Sequence, residues 1–197
     1  MGDFIATDEP LFRLYGSAGG ASAALLSASV AFGSERTLEH DPMFAFRILV
    51  DIALKALSPA INDPTTAVLA MDQIHRLLRD IGLRHLHGDT IRDANGQVRL
   101  VLRTPEWQDF VHMACPEIRR SGATSVQIVR RQRAMLENLL RTLPPRRHPA
   151  LQEQLDILDR LLPDSLTMPE DLALARIGDA QGIGGAEVSA RRELTRP

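Results

Sequence analysis

Asp41, Asp51 and Asp63 lie on or beside one predicted helical hairpin, and three carboxylates are the minimum set for a hard cation such as magnesium or calcium. Beside them Asn62, Asp63, Thr65 and Thr66 concentrate polar groups where a helix begins, and free first-turn amides there can hold a phosphate or a carboxylate. With Arg36 and Thr37 upstream, these residues form a candidate ligand set. The chemistry it could serve is metal- or anion-dependent hydrolysis through Asp41, Asp51, Asn62 and Asp63. Structural duties account for the same side chains. A capping aspartate occupies the amides of its own helix start and brings a negative charge that opposes an anion. Asp51 has Arg47 and Lys55 within one helical turn on either side. Capping and pairing are the favoured reading, and no residue is assigned a catalytic role.

His85-x-His87 with Asp89 puts two imidazoles on one face of a possible strand, a spacing that zinc or iron accepts, but no third histidine or cysteine lies nearby. His112 and Cys115 are a helical turn apart and read as a surface histidine and a packed thiol, so no metal or other cofactor is expected. No serine or cysteine has a nucleophile's setting, and no glycine-rich phosphate loop follows a strand.

The densest charge is the set Arg119, Arg120, Arg130, Arg131, Arg133, Arg141, Arg146 and Arg147, opposed between them only by Glu137. Its first five members are candidates for an anionic surface such as lipid headgroups. The acidic residues that follow, Glu153, Asp156, Asp159, Asp164, Glu170 and Asp171, favour instead two antiparallel helices whose faces neutralise each other. Nucleic acid is not an expected partner, because stacking aromatics are absent from this stretch and the net charge is -2.

The elements that position these groups follow from punctuation and periodicity. Asp41-Pro42 starts an apolar helix whose only charges, Arg47, Asp51 and Lys55, fall four residues apart in a single stripe. Ser58-Pro59 ends it. Asp63-Pro64 starts a second helix with Ala67, Met71, Ile74, Leu78 and Ile81 on one face, and Asp72, Gln73, Arg76, Arg79 and Asp80 on the other. The pair predicts a hairpin with one buried and one half-buried arm. Upstream, Asp3 to Ala6 and Leu11 to Tyr15 read as short strands, Gly16 to Gly20 as a joint, and Ala21 to Phe32 as a helix of small residues packing through Leu25, Leu26 and Val30.

Downstream, Val98, Leu100 and Leu102 alternate with polar residues in a β-hairpin turning near Asn95-Gly96. Thr104-Pro105-Glu106 opens a helix kinked at Pro116 and closed by Gly122. Helices then run from about Ser125 to Thr142, stopped by Pro144-Pro145, from His148 to Pro163, and from Met168 through Ile177.

Composition sets the bounds. With 197 residues, 44% hydrophobic and 24% charged, the chain predicts a globular domain and not a disordered one. Every basic residue except Lys55 is arginine, which fits an arginine- and alanine-rich genome as well as any site-by-site choice. The single cysteine excludes an internal disulfide and any multi-cysteine metal site. No signal peptide or spanning stretch is visible, so the chain as given is expected to be soluble.

Two stretches, Glu35-Arg36-Thr37-Leu38-Glu39-His40-Asp41-Pro42-Met43-Phe44 and Leu57-Ser58-Pro59-Ala60-Ile61-Asn62-Asp63-Pro64-Thr65-Thr66-Ala67, resemble an uncharacterised bacterial family of predicted inner-membrane proteins, domain of unknown function 2254. The Asn-Asp-Pro-Thr-Thr-Ala run is the specific part. Trp107 to Ala114, the Arg130-Arg131 helix and the Pro144-Pro145 break extend the likeness over most of the chain. The resemblance implies a membrane-spanning half followed by a soluble half, of which this chain matches the second, on the cytoplasmic side. Phe4 to Tyr15 would then be the end of a small β module.

The expected architecture is mainly α (α+β): a remnant β module and joint over 1–20, a helical domain over 21–180 built on the 41–81 hairpin, and a disordered tail over 181–197. The expected role is a regulatory or assembly domain of a bacterial inner-membrane protein, acting through protein contacts, with no commitment to an enzyme. Self-association is expected because cut strands leave open edges.

Overall fold

The computed structural model describes residues 4–16, 20–33, 35–37, 41–86 and 88–184. Its elements in order are α1 (Ala23–Ala28), α2 (Pro42–Ala56), α3 (Pro64–Leu83), β1 (Thr90–Arg92), β2 (Val98–Val101), α4 (Trp107–Ala114), α5 (Pro116–Ser121), α6 (Val126–Thr142), a 3-10 turn (Pro145–Arg147), α7 (His148–Ser165) and α8 (Pro169–Ala175). The described residues are mainly helical with one small antiparallel sheet, the mainly α class and the β-hairpin that the patterning predicts.

The α2–α3 hairpin starts each arm the same way. Asp41 accepts the amide of Met43 at 3.0 Å, Asp63 accepts that of Thr66 at 3.1 Å, and a proline fills the first helical position of each. Between the arms the chain turns through Asn62 at φ +47, the left-handed region that asparagine tolerates, so that the Asp63 amide reaches the Ala56 carbonyl at 2.8 Å. Alanines 53, 56, 67 and 70 are buried on the two arms and let them approach closely.

The expected division of burial is reversed. Helix α3 buries Ala67, Val68, Ala70, Met71, Ile74, Leu78 and Gly82, whereas α2 buries Phe46, Val50, Ala53 and Ala56 and leaves Ile48 and Ile52 exposed beside Asp51. The reason is cover: α3 packs on α2, α4 and α6, while α2 packs on α3, α4 and α5 and leaves the stretch with Ile48, Asp51 and Ile52 uncovered.

Phe46 and Phe110 tie α2 to α4 with ring centroids 5.5 Å apart. Proline 116 divides the expected kinked helix into α4 and α5. Helix α6 then crosses α3 and packs on α7 and α8, where Val129, Leu158, Leu162, Leu166 and Ala175 make a second small core. Contrary to expectation α7 continues through Pro163 to Ser165.

Other expectations change as well. Phe4–Ala6 and Leu11–Tyr15 form no strand; only the turn between them survives, with Asp8 at φ +72 and the Glu9 amide on the Ala6 carbonyl at 3.2 Å. Thr7-Asp8-Glu9-Pro10 lacks the Asn-Gly turn that holds β1 to β2, and an isolated hairpin is marginal in water. Helix α1 is a single exposed piece that buries none of its residues, and it stops before Val30. Of the expected tail, 181–184 are held in place: the Asp179 carboxylate accepts the amides of Gln181 at 3.0 Å and Gly184 at 2.6 Å. Residues 185–197 lie outside the described residues.

Candidate functional site

The aspartates of the hairpin do not converge. Asp41 and Asp63 cap opposite ends of antiparallel arms, and since α2 has 15 residues at ~1.5 Å of rise they stand about 20 Å apart. Asp41 is buried and pairs with Arg36 at 3.1 Å. Asp51 is exposed and takes the Arg47 guanidinium, which also binds Glu117 of α5; Glu117 and then Asp51 hold the Arg47 proton more tightly than usual. Thr66 donates both its hydroxyl and its amide to Asp63, and these bonds hold the Asp63 carboxyl below its usual range. Asn62 and Thr65 stay at the turn beside it, away from Asp41. Thr37 lies with Arg36 at the Asp41 end, where its carbonyl accepts the Asp41 amide.

The histidine candidates also separate. Asp89 is spent on Thr104, whose amide and hydroxyl donate at 3.1 and 2.8 Å and lower its pKa, and His87 lies outside the described residues. His112 faces Glu153 at 3.7 Å, while Cys115 is buried and its thiol is pushed up to about 12 by that burial. Among the described residues no three histidine, cysteine or acidic side chains gather as a metal centre needs.

The arginine set is largely interior. Arg130, Arg131 and Arg133 are buried and turn their guanidinium groups to partners within the fold, Arg130 keeping a buried Nη2 without an acceptor among the described residues, which removes them from any headgroup-facing surface. Arg130 donates from Nε to the Ile177 carbonyl at 3.0 Å, and Arg133 from Nε to that of Ala175 at 3.1 Å. Arg133 also pairs with Asp159 of α7, the one acidic residue of the downstream run that meets the basic helix as expected. Arg131 reaches the other way, to Asp72 on α3 at 2.7 Å. Arg119 donates to the buried Gln154, and Arg147 to the carbonyls of Gly82 and Arg84 while lying 5.4 Å over the Trp107 ring. Arg120, Arg141 and Arg146 remain exposed.

What these arginines build is a polar seam between α3, α6 and the strap 176–184. His75 is its centre. Its Nδ1 receives Arg131 Nη2 at 3.1 Å and its Nε2 lies 3.0 Å from the Asn138 amide oxygen, so the hydrogen-bond network assigns the tautomer with the proton on Nε2. Arg79 donates to the same amide oxygen. Burial and the Arg131 charge bring the His75 pKa down to about 4. Under the strap Asp179 is fully buried; burial works against its charge, yet the amides of Gly184, Gln181 and Gly182 outweigh it and lower its pKa.

Against this seam lies a cavity of about 200 Å³ lined by His75, Arg131, Glu137, Asn138, Arg141 and Gly178. Reasoning from motifs missed it. The available signal was that Asp72, His75 and Arg79 share the polar face of one helix while the arginines of α6 share another, so that packing two such helices forces a polar interface.

The fold and the seam together define a helical domain rich in buried arginine, in which no helix among the described residues is long and apolar enough to cross a membrane. The chain belongs to the family described as "Predicted membrane protein (DUF2254)", whose profile matches residues 1–138. It is similar to "Uncharacterized protein Mb1321c" of Mycobacterium bovis and to "Uncharacterized protein MT1328" and "Uncharacterized protein Rv1290c" of Mycobacterium tuberculosis. The identity is 31% over 169 residues, covering 85% of this chain and 31% of each relative. The chain thus spans about a third of the length of the curated relatives it matches. No solved structure matches it significantly.

Proposed function

We propose that this chain is the part of a bacterial inner-membrane protein that lies on the cytoplasmic side and acts through protein contacts, as a regulatory or assembly domain that self-associates. The observation that carries the reading is the β-hairpin. Among the described residues its two strands pair only with each other and leave both outer edges open, and its apolar side chains are exposed, Ile91 at 50% and Val101 at 68% with Val98, Leu100 and Leu102 beside them. An isolated hairpin is marginal in water, and an apolar, open-edged one is a template for a further strand. Phe4 and Tyr15 add apolar surface in the segment before α1.

The test is sedimentation of the chain over a wide concentration range. The expected result is a dimer or higher oligomer that Val101→Asp dissociates. A monomer at every concentration would remove the assembly role.

A further inference from the structure

The cavity beside His75 collects hydrogen-bond donors that no carboxylate among the described residues uses. Behind the lining, Arg79 gives Nη2 to the Asn138 amide oxygen, with the same Nη2 3.2 Å from His75 Nε2, and has no carboxylate partner among the described residues. Arg141, three residues beyond Asn138 on the same helix, lines the cavity, is exposed, and has no partner among the described residues. The Asn138 oxygen is taken by His75 and Arg79, which leaves the two N–H groups of its amide unengaged. Arg131 holds Asp72 and His75 through Nε and Nη2, leaving Nη1 over. Against these stands Glu137, the one carboxylate in the lining, which lies 3.8 Å from Arg133 and close beside Gly178.

We propose that this cavity binds a phosphate group. Arg141 in the lining and Arg79 behind it have no carboxylate partners among the described residues, which leaves the local balance positive, and the free donors of Arg141, Asn138 and Arg131 can turn to an incoming oxyanion. The donors come from three side chains of α6 and not from one planar fork, which suits a tetrahedral oxyanion with acceptors in several directions over a flat carboxylate. At about 200 Å³ the cavity is smaller than the roughly 300–1,000 Å³ of sites for drug-sized ligands, so it admits a phosphate with at most a small substituent. That phosphate is either free in solution or the phosphomonoester end of a lipid headgroup. The site does not depend on the assembly role of the hairpin.

The experiment is a titration of the chain with inorganic phosphate against sodium chloride of equal ionic strength, followed by amide chemical shifts. The expected result is a saturable shift confined to 75–79, 134–141 and 178–180. Arg141→Ala should weaken it about tenfold, the loss of one charge-assisted hydrogen bond. Arg120→Ala, which removes an exposed arginine from α5, should leave it unchanged. Phosphatidylcholine vesicles containing phosphatidic acid separate the sources: binding that phosphate competes away and Arg141→Ala abolishes assigns the site to a lipid headgroup. Vesicles that are ignored while phosphate binds assign it to the free ion. No saturable shift, or equal weakening by Arg141→Ala and Arg120→Ala, overturns the proposal.

Discussion

Arg131 donates from Nη2 to Nδ1 of His75 at 3.1 Å, so a cation hydrogen-bonds the imidazole on the nitrogen that must stay unprotonated. Burial first and this cation second bring the His75 pKa down to about 4 in the folded chain, whereas the unfolded chain binds the proton near 6.5. Between those values the unfolded state holds more protons, so stability falls as pH drops through this window and is fully present above it. Allowing for the part of the ring that water reaches, the loss is about 2 kcal/mol. Urea midpoints at pH 7 and pH 4 for the chain and for His75→Gln check this. The natural chain should lose more than the variant, and equal losses would mean that another group governs the acid limb.

Arg133 joins α6 to both α7 and α8, through Asp159 and the Ala175 carbonyl. Arg133→Ala leaves that carbonyl without its side-chain donor and Asp159 without its cation, and should cost about 3 kcal/mol of unfolding free energy. Arg133→Met keeps the apolar stem in place and should cost less. Equal losses in the two variants would show that the stem packing is not what distinguishes them.

Motif and periodicity made the helical framework legible because its signals are local. Asp41-Pro42 and Asp63-Pro64 set both helix starts, Gly122 and Pro144-Pro145 the stops around α6, and Asn95-Gly96 the hairpin turn, with Gly96 at φ +79. The seam was illegible because it is long-range. Nothing within α3 says that Asp72 will meet Arg131, fifty-nine residues away, or that the carbonyls of Ala175 and Ile177 will take two arginine side chains. Arginine density alone could not separate a surface patch from buried stitching, since the difference lies in which carbonyls are within reach. Pro163 misled for a related reason: a proline near a helix end removes one amide bond, and Leu158 and Leu162 packing under Val129 carries the helix past it.

The distance between Asp41 and Asp63 makes a test of capping against a shared ligand site. Asp41→Ala should cost about 1 kcal/mol through loss of the Met43 bond and the Arg36 pair. Asp63→Ala should destabilise in the same direction by freeing the Thr66 amide. Independent caps about 20 Å apart add, so thermal unfolding of the double variant should equal the sum of the singles. A marked departure from that sum would mean the two carboxylates are coupled, which two separate helix ends cannot explain.

Gly182 marks where the strap is closest to the seam. It sits at φ +70, and a Cβ there would fall 2.5 Å from Val68 Cγ1 and 3.0 Å from Arg131 Cδ. Backbone conformation and steric contact both oppose a side chain, and each is intrinsic to the position. Gly182→Ala should therefore lift the strap locally, at about 1–2 kcal/mol, without unfolding the α2–α3 core. Hydrogen exchange reads the difference: the amides of Gln181 and Gly184, which bond to Asp179, should lose protection, while those of α3 keep theirs. Because Gln127 donates to the Gly182 carbonyl at 2.6 Å, Gln127→Ala should open the same amides more weakly. If Gly182→Ala leaves Gly184 protected, the turn held by Asp179 survives the added side chain and the steric conflict at Gly182 does not govern the strap's closure.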